Sequence, residues 1–244
     1  MKISFIIPAY NEEALIEKCL KAVLRETAQA PCDTEIILVN NASTDKTREV
    51  AQTFHGVRVI DERRKGITRA RQTGYEASSG DLIANIDADT MLPPGWIATV
   101  VHEFTRDPNL VALSGPQIYY DLNEFERSLV RVYYASTYLL HLTITAFRKG
   151  AMLQGGNFIV RRSALATIGG FDTSIEFYGE DSDIARRVAK IGKVKWTFAL
   201  PIYASGRRLR EEGIIRTGWN YGLNHFSVLS VHKPYTKTHQ DIRV

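Results

Sequence analysis

The stretch Asp81-Leu-Ile-Ala-Asn-Ile-Asp87-Ala88-Asp89 decides the fold class. From Leu82 to Ile86 it is apolar except for Asn85, a short run of the kind found in strands buried on both faces of a helix-covered parallel sheet. Upstream, Ile67 to Ser78 predicts a helix closed by Ser79-Gly80. Ile3-Ser-Phe-Ile-Ile-Pro8 predicts a first buried strand, stopped by Pro8. Glu12 to Thr27 follows, with Leu15, Ile16, Cys19, Leu20 and Val23 at helix spacing. Glu35 to Val39 predicts the second strand, Ser43 or Thr44 a cap for a helix through Val50 to Phe54, and Val57 to Ile60 the third strand. This alternation predicts an α/β protein with a mostly parallel mixed sheet flanked by helices. Ligands of such sheets bind beyond the carboxyl ends of the strands, where Asp87 and Asp89 are delivered.

The second half is less regular. Leu110 to Ser114, Asn157 to Val160 and Val194 to Ala199 read as strands, the last of them as the final strand of the chain, and Asp181 to Ile191 as a helix. Phe125 to Phe147 predicts a long apolar helix: Leu129, Val132, Tyr133, Ser136, Leu140, Thr143 and Phe147 share a face, and Tyr134, Tyr138, Leu139 and Leu142 make the other face apolar as well. Packing against the domain or against a second copy is the plain reading, and a membrane-surface or lipid-acceptor role the sharper one. Arg131 and His141 argue against insertion. With no repeat or linker, one domain over residues 1–244 is expected, its halves being 1–115 and 116–244.

A hydrophobic fraction of 44% and a charged fraction of 24% are those of an ordinary globular protein. The net charge of +4 is uneven: Ile184 to Val244 holds 12 Lys plus Arg against 3 Asp plus Glu. That suits a phosphate-bearing ligand or an acidic membrane surface, or a merely solvated basic face. Two cysteines make neither a disulfide framework nor a zinc site. No signal-peptide layout opens the sequence and no run of ~18 apolar residues spans a bilayer, so the expected location is cytoplasmic, at most peripheral to the membrane face. No Gly-X-Gly-X-X-Gly follows the first strand, which excludes a dinucleotide fingerprint.

Two carboxylate pairs carry the chemistry. Asp87 and Asp89, separated by one small residue, can hold a hard cation with oxygen ligands; read plainly, they cap the turn before Pro93-Pro94. Glu180-Asp181 is, read plainly, a helix-dipole pair, as is Asp183. Their company changes the weighing. Phe5-Ile-Ile-Pro8-Ala9-Tyr10-Asn-Glu12 is followed in order by Val39-Asn40-Asn41-Ala-Ser-Thr-Asp45, Gly66-Ile-Thr-Arg-Ala-Arg71, Asp87-Ala88-Asp89, Gly155-Gly156-Asn157-Phe158, Gly169-Gly-Phe-Asp172 and Gly179-Glu180-Asp181.

That series resembles the family 2 glycosyltransferases of the Rossmann-like GT-A fold over roughly residues 2 to 200. The resemblance implies an inverting transfer of a sugar from a nucleotide-diphosphate-sugar, UDP-sugars favoured, to a hydroxyl of a glycan or lipid-linked acceptor. Pro8, Ala9, Tyr10 and Glu12 would surround base and ribose, with Tyr10 stacking on the base for ~1–3 kcal/mol. Arg71 would reach the base or the diphosphate. Asp87 and Ala88 would lie near the ribose, and Asp89 would bind Mn²⁺ or Mg²⁺. Gly155, Gly156 and Asn157 would let the backbone pass close to the donor sugar. Glu180 would bind sugar and Asp181 would be the general base. No nucleic-acid partner is implied; a homodimer and a peripheral membrane contact are compatible with it.

Two departures stand out. Asn40-Asn41 replaces an acidic pair; Asn41 can still accept a hydrogen bond but can also donate one. No His stands where some relatives place an extra metal ligand after the last strand; Ser205-Gly206-Arg207-Arg208-Leu209 lies there, and its arginines would either neutralise the diphosphate or be solvated. The rivals are a haloacid-dehalogenase-like phosphatase, from Asp-Ala-Asp-Thr90, and a non-catalytic nucleotide-sugar-binding protein.

Overall fold

The computed structural model describes residues 1–146, 151–175, 177–231 and 233–236. Strand β1 (Lys2–Ala9) is central: it pairs in parallel with β2 (Asp33–Asn40) and β4 (Leu82–Ile86), and β2 pairs in parallel with β3 (Val57–Asp61). The sheet continues through β8 (Asn157–Arg161), antiparallel to its neighbours, to β6 (Leu110–Ser114) and β9 (Lys193–Trp196), giving the order β3-β2-β1-β4-β8-β6-β9. Strands from both halves of the sequence therefore share one mostly parallel sheet, as the apolar runs predict.

Alternate residues of β1 feed two cores. Ile3, Phe5 and Ile7 pack with α1 (Ile16–Thr27) and α4 (Trp96–Arg106), and Ile6 with α3 (Ile67–Ala77), α6 (Arg162–Thr167) and α7 (Glu180–Val188). Gly74 of α3 permits the close approach to β1, since a Cβ there would fall 2.3 Å from the Ile6 Cγ2.

Several boundaries differ from expectation. Helix α1 begins at Ile16 rather than Glu12, because the Glu12 carbonyl first closes a turn with the Leu15 and Ile16 amides. Ser43 and Thr44 do not cap α2 (Thr47–Gln52): both hydroxyls bond Asn11, and Asp45 accepts from the Thr47 amide and hydroxyl instead. Strand β9 stops at Trp196, after which Thr197 turns the chain by accepting from Ala199. It is not the last strand. The next residues enter a second sheet, in which β10 (Ile202–Ala204) lies between β5 (Thr90–Met91) and β7 (Gln117–Tyr119). Helices α8 (Arg207–Glu212) and α9 (Ile214–Val231) follow.

The long apolar helix is present as α5 (Glu124–Ala146). Phe147 and the side chains of residues 140–146 lie outside the described residues. Tyr134 and Tyr138 pack on the Trp196 ring, whereas Val132 and Leu139 are exposed. Among the described residues, no helix is long and apolar enough to cross a membrane.

Candidate active site

The site is built on a buried arginine. Arg71 is fully enclosed on α3 beside the Phe158 ring; its Nη1 donates to Glu180 Oε1 at 2.7 Å and its Nη2 to Asp87 Oδ1 at 3.0 Å. It thus joins the first turn of α7 to the turn after β4. It stands behind the residues that line the cavity, with both ends of the guanidinium engaged by carboxylates. Burial pushes the Glu180 carboxyl up to about 7, with the Asp181 and Asp87 charges adding to the rise and Arg71 opposing it.

The Gly155-Gly156 pair serves these carboxylates. Gly156 has φ 72°, and a Cβ there would fall 2.3 Å from Asp87 Oδ2, so its missing side chain makes room for Asp87 itself. The Gly155 amide donates to Asp181 Oδ2 at 3.0 Å, and the Ser182 amide to Asp181 Oδ1 at 2.6 Å. Both carboxylate oxygens are therefore held from the backbone. The Ser182 hydroxyl lies 2.8 Å from Nδ1 of His225 on α9, a contact that nothing in the sequence announces. Asp183, by contrast, is spent on Arg186 and Arg187 one turn further on, ion pairs that the helix-dipole reading did not include.

Across the cavity, Arg207 donates to Glu12 Oε1 at 2.7 Å and stands 3.7 Å from Asp89 Oδ2. Arg208 pairs with Glu212 and lies over the Phe177 ring at 4.6 Å. Neither is a solvated surface arginine. Lys65 Nζ sits 3.8 Å above the Tyr10 ring.

Asn41 is used up locally. Its amide donates to the Glu62 and Arg64 carbonyls, and its Oδ1 accepts from the Gly66 amide, so it shapes the 62–66 loop. Glu62 is the other anchor of that loop, accepting from the Arg64 backbone and guanidinium and from the Thr73 hydroxyl. The Arg64 guanidinium first, and then the other donors against the cost of burial, hold its carboxyl down to about 2. A carboxyl held low in the fold stabilises it above its unfolded value near 4.5, and that stability is lost as pH falls toward 2. Glu62→Gln is expected to cost about 1–3 kcal/mol in urea unfolding at pH 7 and to flatten the decline of stability between these pH values.

A cavity of about 880 Å³ is lined by Pro8, Ala9, Tyr10, Glu12, Asn41, Asp87, Ala88, Asp89, Glu180, Asp181, Arg207 and Arg208; Arg71 and Gly156 stand behind this lining. The sequence reading missed the opposite wall, where Gln117, Tyr134 and Gln154 form a hydrogen-bonded group and α9 contributes Ile215, Trp219 and His225. Asp87 follows the fourth strand and is held by Arg71, an arrangement that does not match the phosphatase rival, whose nucleophile belongs after the first.

Comparison with known proteins gives the family and the fold. The probable glycosyltransferase YdaM of Bacillus subtilis is 29% identical over 204 residues, 78% of this chain and 47% of its own length. Glycosyltransferase GlyA of Streptococcus pneumoniae serotype 4 is 30% identical over 129 residues, 51% of this chain and 18% of its own. The chain thus spans less than half the length of these relatives. Among solved structures, the mannosyltransferase PcManGT of Pyrobaculum calidifontis, in complex with GDP-Man and Mn²⁺, superposes over 94% of this chain and 63% of its own with a TM-score of 0.68 at 21% identity. TarS of Staphylococcus aureus in complex with UDP-GlcNAc covers 84% of this chain and 58% of its own with a TM-score of 0.61 at 15% identity. These neighbours share the GT-A fold. The family described as Glycosyl transferase family 2 matches residues 4–169, and the chain belongs to the family 2 glycosyltransferases.

Proposed function

We propose that this glycosyltransferase moves a sugar from a nucleotide-diphosphate-sugar to an acceptor hydroxyl by a single displacement that inverts the anomeric carbon. The observation that carries the reading is the Asp181 carboxylate, fixed by the Gly155 and Ser182 amides on the wall of the cavity that Asp89 also lines. Asp181 takes the acceptor proton as the oxygen attacks opposite the leaving diphosphate. Arg207 and Arg208 supply positive charge for the departing phosphates. Tyr10 offers its ring to the base, with Lys65 giving way.

The donor set suits a hard cation. Among the described residues, no three His, Cys, Asp or Glu side chains form a ready cage, but Asp87 and Asp89 bring carboxylates to the cavity, and Mg²⁺ or Mn²⁺ is commonly held by one or two carboxylates with substrate phosphates completing its shell. Asp89 would hold the ion, with Asp87 beside it. Such an ion neutralises charge on the phosphates. UDP is favoured as the carrier; GDP, the nucleotide of the sugar bound to the Pyrobaculum enzyme, is the comparison to make.

Thermal unfolding with UDP or GDP, each with and without Mn²⁺, tests the reading. One nucleotide at 100 times its Kd should stabilise by ~2.7 kcal/mol. Asp89→Asn should remove the increment due to Mn²⁺ and keep the metal-free shift. No stabilisation by either diphosphate, or an unchanged Mn²⁺ increment in the variant, sinks the proposal.

A further inference from the structure

The cavity has a second chemistry at its mouth. Its outer wall is made by α5 and α9, which meet where Gly218 faces the Tyr133 ring; a Cβ at Gly218 would lie 3.8 Å from it. Leu129, Val132, Ile215 and Trp219 line this part of the cavity and are also open to solvent, Val132 at 67%, Ile215 at 85% and Trp219 at 69%. Large apolar side chains that are exposed and concave together mark a binding surface. A sugar would need hydrogen-bond partners, and these side chains offer carbon and one indole N–H.

The apolar wall is continuous with the reacting end. Tyr133 lies close enough to Asp181 for that charge to add to the upward pull of burial on its phenol. An exposed cation stands near the lip: Arg216, next to Ile215, lies near enough to Tyr178, which lines the cavity, for its charge to act on that phenol. A narrow concave apolar strip that ends on a carboxylate, with an arginine near its edge, fits a flexible hydrocarbon chain with an anionic or polar head better than the face of a second copy.

We propose that the acceptor is lipid-linked, its hydroxyl presented to Asp181 and its hydrocarbon chain lying along Leu129, Val132, Ile215 and Trp219. This rests on the transfer reading above and deepens its acceptor side.

The fluorescence of Trp219 reads the contact directly, because the other two tryptophans of the chain, Trp96 and Trp196, are buried at 2% and 5% exposure. Monomeric hexyl, octyl and decyl glucosides, with glucose as the chainless control, are titrated into the protein while Trp219 emission is followed. A saturable blue shift is expected, with affinity rising up to about fourfold per added methylene and no response to glucose. The double substitution Val132→Glu and Ile215→Glu, at two exposed positions, should flatten that dependence. A chain-independent response, or an unaltered dependence in the variant, overturns the proposal. Stabilisation by UDP or GDP is measured in the same samples: if it persists while the chain dependence fails, the acceptor assignment alone is wrong, and if it is absent too, the transfer reading fails with it.

Discussion

Asp181→Asn is expected to lower the rate of sugar transfer by about 10²–10⁴-fold, the range a positioned general base contributes, while donor affinity changes little. The substitution is nearly isosteric, but its local consequence can be foreseen. Two amides, from Gly155 and Ser182, point at the two carboxylate oxygens, and an Asn side chain can accept from only one of them. The other then faces an NH₂ group, a mismatch worth about 1–3 kcal/mol of stability. A modest fall in melting temperature should therefore accompany the catalytic loss. Stopped-time product assays under saturating donor, with donor Kd measured separately by calorimetry, divide the two effects. The variant should also bring the Glu180 carboxyl down, because the charge at Asp181 adds to the burial that raises it. If transfer persists at the wild-type rate with donor binding intact, Asp181 is not the base.

The sheet was legible because its strands carry their information locally. Ile3 to Ile7, Ile36 to Val39 and Leu82 to Ile86 are buried on both faces, so burial writes a nearly continuous apolar run, broken only by Ser4 and Asn85, whatever the partners are. The two carboxylate pairs were legible for a related reason: each follows a sheet strand or opens a helix and lies within a few residues of chain. What was not legible is what closes in space from far away. Strands β5, β7 and β10 are two or three residues long, too short for periodicity to register, yet they bring Ser205 to donate its amide to the Asp89 carbonyl. Helix α9 places His225 beside Ser182, 43 positions earlier in the chain. An arginine one turn into a helix carries no mark of full burial; that of Arg71 follows only from Glu180 and Asp87 arriving on either side of it.

Arg71 also sets up the largest expected effect on the fold. Removing one partner of a buried ion pair leaves a charge without compensation and typically costs about 3–5 kcal/mol. Arg71→Met should approach that range in urea unfolding, since Glu180 is itself buried, whereas Asp87 can turn to water because about a third of its side chain is exposed. With Arg71 gone, Glu180 loses the charge and the hydrogen bond that hold its carboxyl down, so it takes up a proton more readily. A group whose folded value is raised destabilises the fold as pH climbs from its unfolded value near 4.5 up to the folded one; wild type and variant therefore lose stability alike up to about pH 7, and the deficit of the variant, whose Glu180 is raised further, should widen only above it. Adding Glu180→Gln removes that charge and should return more than half of the lost stability, because deleting both partners of a buried pair is far less costly than deleting one. Activity should not return with it. Arg71 joins the turn bearing Asp87 and Asp89 to the helix start bearing Asp181, and a methionine fills the volume without holding the two together. A double variant that regains both stability and turnover would reduce Arg71 to a packing residue; one that regains stability alone assigns it to keeping the Asp89 and Asp181 carboxylates in register.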